Sequence, residues 1–255
     1  MDKQNGLMQD RLYIAPTLLE SIPDVIAGFS TRHGGVSEEP FTSLNLGLST
    51  NDEKENVLEN RKRLFESVGF SLDSLAITGQ VHGDAVLEVD APGLYVGYDG
   101  LITRNEGILL CLSAADCASV LLVDTENKII GACHSGWRGT VANITGKTLS
   151  MMADLGAQPR SMYAYVSPCI SKTNFEVGWE VADQFDEAYL YRVSGKEKPH
   201  IDLKAALKDQ LISAGIDSNR IEISPFCTVG EKNHFFSYRA EQGKTGRMMG
   251  FVGMR

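Results

Sequence analysis

Histidine is scarce in this chain, with five among 255 residues, so each position carries weight. Basic residues are also in short supply. There are 24 Lys+Arg against 33 Asp+Glu, a formal net charge of -9. A general nucleic-acid binder needs clustered Lys and Arg for phosphate contacts, and this balance argues against one. It still permits a small anionic substrate held by a few local arginines. No apolar run is long enough for a bilayer. The most apolar stretch, Ile108 to Val123, is short and is broken by Asp116. The polar start, Met1 to Gly6, lacks the apolar core of a signal peptide. The five cysteines are Cys111, Cys117, Cys133, Cys169 and Cys227. An odd number without a secretory signal points to free thiols in a reducing cytoplasm, not to a disulfide framework. Internal repeats and low-complexity linkers are absent as well.

What is present reads as one large domain of α/β (α+β) class. Residues 51–68 carry a helical apolar pattern through Val57, Arg61, Leu64, Phe65 and Val68, with Asn51 or Asp52 as the cap. Residues 140–155 and 180–190 are further helix candidates. Residues 202–214 are a fourth, capped by Asp202. Ala85 to Val89 reads as a strand. The apolar runs Ile108 to Leu112, Val120 to Val123 and Ile129 to Cys133 are expected to be buried central strands of one sheet. Phe235 to Arg239 is expected to be a late strand.

The chemistry concentrates at strand ends. His82 lies in Gln80-Val81-His82-Gly83 and His134 in His134-Ser135-Gly136-Trp137-Arg138-Gly139. Ala115-Asp116-Cys117 sits between them. Strand ends place side chains rigidly, and the loops beyond supply access. Two imidazoles and a thiolate suit zinc, and three protein ligands leave a position open, as catalytic sites do. The spacing is not that of a zinc finger. If His134 faces the site, alternation turns Cys133 the other way. His33 lies in a glycine loop, and His200 and His234 look solvent-side, so none is assigned as a ligand.

Gly28-Phe29-Ser30-Thr31-Arg32-His33-Gly34-Gly35-Val36-Ser37 resembles the opening motif of the YfiH, or laccase-domain, family. The resemblance continues through Ser43-Leu44-Asn45-Leu46-Gly47, Asn60-Arg61 and the three segments just described. It ends with Phe175-Glu176-Val177-Gly178, Cys227-Thr228 and Phe236-Ser237-Tyr238-Arg239. Roughly residues 25–255 are covered, after a lead-in of residues 1–24. Three departures stand out. The family usually has proline two residues after the cysteine, where this chain has Ser119. Its usual alanine is Ser135 here, and a common glycine-proline pair is Ser167-Pro168.

The resemblance implies a single layered domain with mixed sheets packed between helices. It implies a metal held by His82, Cys117 and His134, zinc or else copper. The names used for the family imply three activities. One is phosphorolysis of adenosine, inosine and methylthioadenosine, with adenosine deamination beside it. The second is amide hydrolysis that edits peptidoglycan precursors. The third is copper-dependent phenol oxidation, which usually needs several copper centres and more histidine than this chain offers. Cys117 as a thiol nucleophile with a histidine base stays open, as does a binding module that only uses a metal for stability. For the purine reading, Asp116 is the candidate proton carrier, or a carboxylate that bonds a histidine nitrogen or backbone. Arg32, Arg138 and Arg239 are candidates for phosphate, because the guanidinium fork matches its oxygens. Gln80 and Asn45 are candidates for base or sugar, and Trp137 and Tyr238 for stacking.

Overall fold

A computed structural model describes residues 11–255; the polar start at residues 1–6 lies outside them. The chain begins with β1 (Tyr13–Ile14), α1 (Thr17–Glu20), β2 (Val25–Ser30) and α2 (Lys54–Ser67). Seven strands follow: β3 (Leu75–Gly79), β4 (Val86–Glu88), β5 (Gly93–Val96), β6 (Gly100–Thr103), β7 (Leu109–Ala114), β8 (Ala118–Asp124) and β9 (Ile129–Ser135). Then come α3 (Trp137–Val141), α4 (Ile144–Asp154), β10 (Met162–Val166), α5 (Trp179–Ala182), β11 (Leu190–Tyr191) and β12 (His200–Ile201). The chain closes with α6 (Leu203–Ser213), β13 (Ile221–Ile223) and β14 (Met248–Met254).

Two mixed six-stranded sheets result, ordered β1-β2-β14-β7-β3-β5 and β13-β10-β8-β9-β6-β4. They pack face to face. Leu110 and Leu112 of β7 meet Leu121 and Val123 of β8 and Ile130 and Ala132 of β9 in the core between them. The alternate residues of each strand face outward. Leu109 and Cys111 pack with Leu64 and Phe65 of α2. Val120, Leu122 and Cys133 pack with Leu149 of α4 and Leu207 of α6. This is the layered architecture expected, with helices outside both sheets. Strands buried on both faces explain the continuous apolar runs.

Several sequence expectations need correction. The three apolar runs do not share a sheet. β7 lies in the first, and the bend at Ala115-Asp116-Cys117, with Asp116 at φ 83°, carries the chain across to β8 in the second. The helix expected over 140–155 is two helices. Asn143 takes a left-handed conformation between them and accepts the Gly146 N–H, capping α4. Over 180–190, α-helix ends at Ala182. Asp186 then caps a short 3₁₀ turn. Residues 51–53 stay outside α2, because the Asp52 carboxylate is drawn into a loop network with Ser37 and Asn45. Phe235 to Arg239 is not a strand. The Phe235 N–H donates to the Glu231 carbonyl and the Phe236 N–H to Met248 Sδ, so the segment coils while both rings stay in the core. His200 and His234 are buried, at 2% and 6% exposure, and not solvent-side. His234 Nδ1 lies 3.0 Å from His33 Nε2. Cys133 does face away from His134, as alternation requires. Asp202 caps α6 by accepting the Ala205 N–H.

Among the described residues, no helix is long and apolar enough to cross a membrane.

Candidate metal centre and active-site cleft

Strand ends converge at one end of the two sheets. The ends of β3 and β7, the start of β8 and the end of β9 border a cleft of about 910 Å³. Antiparallel pairing of β8 with β9 sets Ala118 opposite Ser135, which brings Cys117 beside His134. The ligand atoms of His82, Cys117 and His134 all lie within 4.8 Å of one another. The two imidazole rings meet edge to face, with centroids 4.9 Å apart. A Cβ on Gly136 would come 2.9 Å from Cys117 Sγ, so glycine there keeps the thiol side of the cluster open.

Asp99 builds this arrangement. Its Oδ1 lies 2.8 Å from His134 Nδ1. The same carboxylate accepts the N–H groups of Val81, His82 and Gly83. Three amides hold the loop that carries His82, whose own backbone is left-handed at φ 59°. Asp99 thus commits one nitrogen of His134 and leaves Nε2 for the cluster. Burial opposes ionisation of the Cys117 thiol, but His134 and His82 outweigh it and bring its pKa down to about 6. Burial likewise disfavours the His134 imidazolium, yet Cys117 and Asp99 raise it to about 9. Each of the two groups thus favours the charged form of the other. A thiolate, two imidazoles and a carboxylate behind one of them form a donor set that fits zinc.

The other candidate residues divide. Gln80, Asp116, Arg138 and Arg239 line the cleft with Trp137 and Tyr238. Gln80 is tied at both ends of its amide to Ser113, at 2.9 Å and 2.8 Å, and so clasps β3 to β7. Asp116 bonds backbone and not a histidine. One oxygen accepts the Thr228 hydroxyl and the other the Arg239 N–H. Arg138 and Arg239 are exposed at the rim, stacked over Trp137 and Phe175. Arg32 and Asn45 do not line the cleft. Arg32 donates to the carbonyls of Thr42 and Lys232, pairs with Glu241 and covers Phe236. Asn45 is buried, and its amide joins Thr50, Asp52, Gly47 and Arg247.

Sequence reasoning missed Asp99, Arg61 and Arg247 as site residues. That a metal-binding histidine has a carboxylate behind it is a general expectation. Which of the acids fills that role is decided across 35 residues of chain, and no local pattern marks it.

Residues 26–255 match the family model described as multi-copper polyphenol oxidoreductase laccase. The chain belongs to that family. It is 40% identical over 228 residues to a purine nucleoside phosphorylase of Deinococcus radiodurans, covering 89% of this chain and 88% of that one. A purine nucleoside phosphorylase of Bacteroides thetaiotaomicron is 34% identical over 261 residues, with 96% and 97% covered. The crystal structure of YlmD from Geobacillus stearothermophilus superposes with a TM-score of 0.89 at 32% identity, covering 96% and 97% of the two chains. Despite the family's copper-oxidase description, the donor cluster found among the described residues is the single His-Cys-His set.

Proposed function

We propose that the chain is a zinc-dependent purine nucleoside phosphorylase that accepts adenosine, inosine and methylthioadenosine and also deaminates adenosine. The observation that carries this reading is one cleft in which the His-Cys-His cluster, apolar walls and arginines meet. The names of the relatives agree with the phosphorylase part of it.

The apolar wall includes Ile77, Leu94, Ile170, Phe175 and Leu203. It suits a flat purine, and Trp137 and Tyr238 offer faces for stacking. Rim arginines 138 and 239 draw a phosphate toward the cleft. In phosphorolysis a phosphate oxygen bonds to the anomeric carbon as the bond from that carbon to the base nitrogen breaks. The electron pair leaves with the purine, and the proton of hydrogen phosphate ends on it. His82, Cys117 and His134 would hold zinc, which supplies a Lewis acid and the means to activate water. Asp99 keeps His134 in the tautomer that offers Nε2. Asp116 positions the Cys117 bend against Thr228 and the Arg239 segment.

The closeness of Cys117 to His134 favours a second reading, amide hydrolysis of peptidoglycan precursors with Cys117 as nucleophile. Product analysis of zinc-loaded protein with adenosine, with and without phosphate, separates the two. Adenine formed only with phosphate, and lost on chelation and in Cys117→Ala, is the expected result. Inosine formed without phosphate would show deamination. Absence of both products above the Cys117→Ala background would refute the purine reading. Peptidoglycan-precursor cleavage that persists under complete chelation would establish the second.

A further inference from the structure

The cleft contains two inner arginines that the rim does not explain. Arg61, on α2, is 7% exposed. Its Nε donates to the Leu46 carbonyl at 2.8 Å. Among the described residues no carboxylate comes within 4.0 Å of it. Arg247, just before β14, is half-buried and likewise has no carboxylate within 4.0 Å among the described residues. One of its terminal nitrogens donates to the Thr245 and Gly246 carbonyls, at 2.9 Å and 3.0 Å. Both arginines line the cleft that holds the His-Cys-His cluster.

One loop holds them together. The Leu46 carbonyl accepts from Arg61, and the Leu46 N–H donates to the Arg247 carbonyl at 3.0 Å. The Asn45 side chain accepts the Arg247 N–H at 2.9 Å. The Arg247 stem crosses Gly47, where a Cβ would meet its Cγ at 2.6 Å. The motif Ser43-Leu44-Asn45-Leu46-Gly47 therefore contributes no ligand to the cleft. It seats two arginines there.

A buried guanidinium without a counter-charge is costly, and an anion that enters relieves the cost. Carboxylates of the chain do not fill this role. Asp116 and Cys117 are within electrostatic reach of Arg247, but neither pairs with it directly; Asp116 bonds Thr228 and the Arg239 N–H instead. Cys111, near Arg61, is held neutral by burial.

We propose that Arg61 and Arg247 form the inner oxyanion subsite that holds inorganic phosphate, while Arg138 and Arg239 only gather it at the rim. This rests on the phosphorylase reading for the role of the bound phosphate, though not for its binding. The planar forks suit tetrahedral oxyanions, and the free nitrogens of both residues supply the donors. The phosphate ester of a nucleotide shares this chemistry, and the test separates the two sources.

The experiment is calorimetric titration of inorganic phosphate into the zinc-loaded full chain, alongside steady-state kinetics. Variants are Arg247→Gln, Arg61→Lys and the distant Arg160→Gln as control. Arg61→Lys keeps a cation in the buried position, and Arg247→Gln provides an independent variant if the first folds poorly. Losing one charge-assisted contact is expected to weaken phosphate binding by about tenfold or more. The KM for phosphate should rise by a similar factor while the KM for nucleoside holds, and Arg160→Gln should match the parent chain. Phosphate affinity within about twofold of the parent in both folded variants would overturn the subsite, even if phosphorolysis is confirmed. Binding of adenosine monophosphate but not of inorganic phosphate would overturn the choice of ligand. Phosphate binding that depends on both arginines, with no nucleoside cleaved, would support the subsite and refute the phosphorylase reading.

Discussion

Two departures from the family pattern meet in the structure, and their energetic coupling can be measured. Ser119 stands where the family usually has proline, and Ser167 where it often has glycine. The Ser119 N–H donates to Ser167 Oγ at 2.9 Å, and both residues are fully buried. Proline would lack that donor, and glycine would lack that acceptor. Ser167→Gly alone strands a buried N–H, at a cost of about 1–3 kcal/mol. Glycine's flexibility adds about 0.5–1 kcal/mol. In a Ser119→Pro background the donor is already gone, so the same Ser167→Gly step should cost only the flexibility part. The expected coupling in the double-mutant cycle is therefore about 1–3 kcal/mol, with the double variant more stable than additivity allows. Urea unfolding of the four proteins measures it. Additivity within about 0.5 kcal/mol would refute the reasoning. A subsidiary check uses Ser119 Oγ, which is buried with no partner. Removing it in Ser119→Ala should be near neutral or slightly stabilising, and a large loss would contradict this account.

Two further outcomes are expected. Asp99→Asn should weaken zinc binding by about 10–100-fold, because the carboxylate fixes His134 and the His82 loop together; competition against a chromophoric chelator reads this, and unchanged affinity would remove Asp99 from the centre. For Asp124, burial would raise the carboxyl pKa, but hydrogen bonds from Asn127, Gln158 and Ser161 outweigh it and hold the group below its usual range. A lowered folded pKa means that its stabilisation is complete above the unfolded value, about 3.9, and fades as pH falls through the folded one. The gap in unfolding free energy between the parent chain and Asp124→Asn should thus be full at pH 7, about 1–3 kcal/mol, and shrink below about pH 4. A gap independent of pH would show that the charge is not involved.

Local pattern was enough for the elements whose partners did not matter. The α2 and α6 helices follow from spacing, and so do the buried strands β7, β8 and β9. Cys133 follows from alternation with His134. The donor triad was legible because imidazole and thiolate are rare and their chemistry is specific. Pattern failed wherever a long-range partner outbid local preference. Aromatic density at Phe235 and Phe236 reads as strand, yet their N–H groups are satisfied by Glu231 and Met248 in a coil. Arg32 and Asn45 sit in motifs, but they hold the loops around the cleft and do not line it.

The sequence by itself determined the layered α/β class, the absence of a long apolar span, and the three residues able to bind a metal together. Periodicity and side-chain chemistry are local properties, so they survive in one dimension. Tertiary structure alone decided the division of the strands between two sheets, the choice of Asp99 behind His134, and the pairing of Arg61 with Arg247. Each of these joins groups far apart in the chain, and only the packing of the sheets sets which polar groups must satisfy one another away from water.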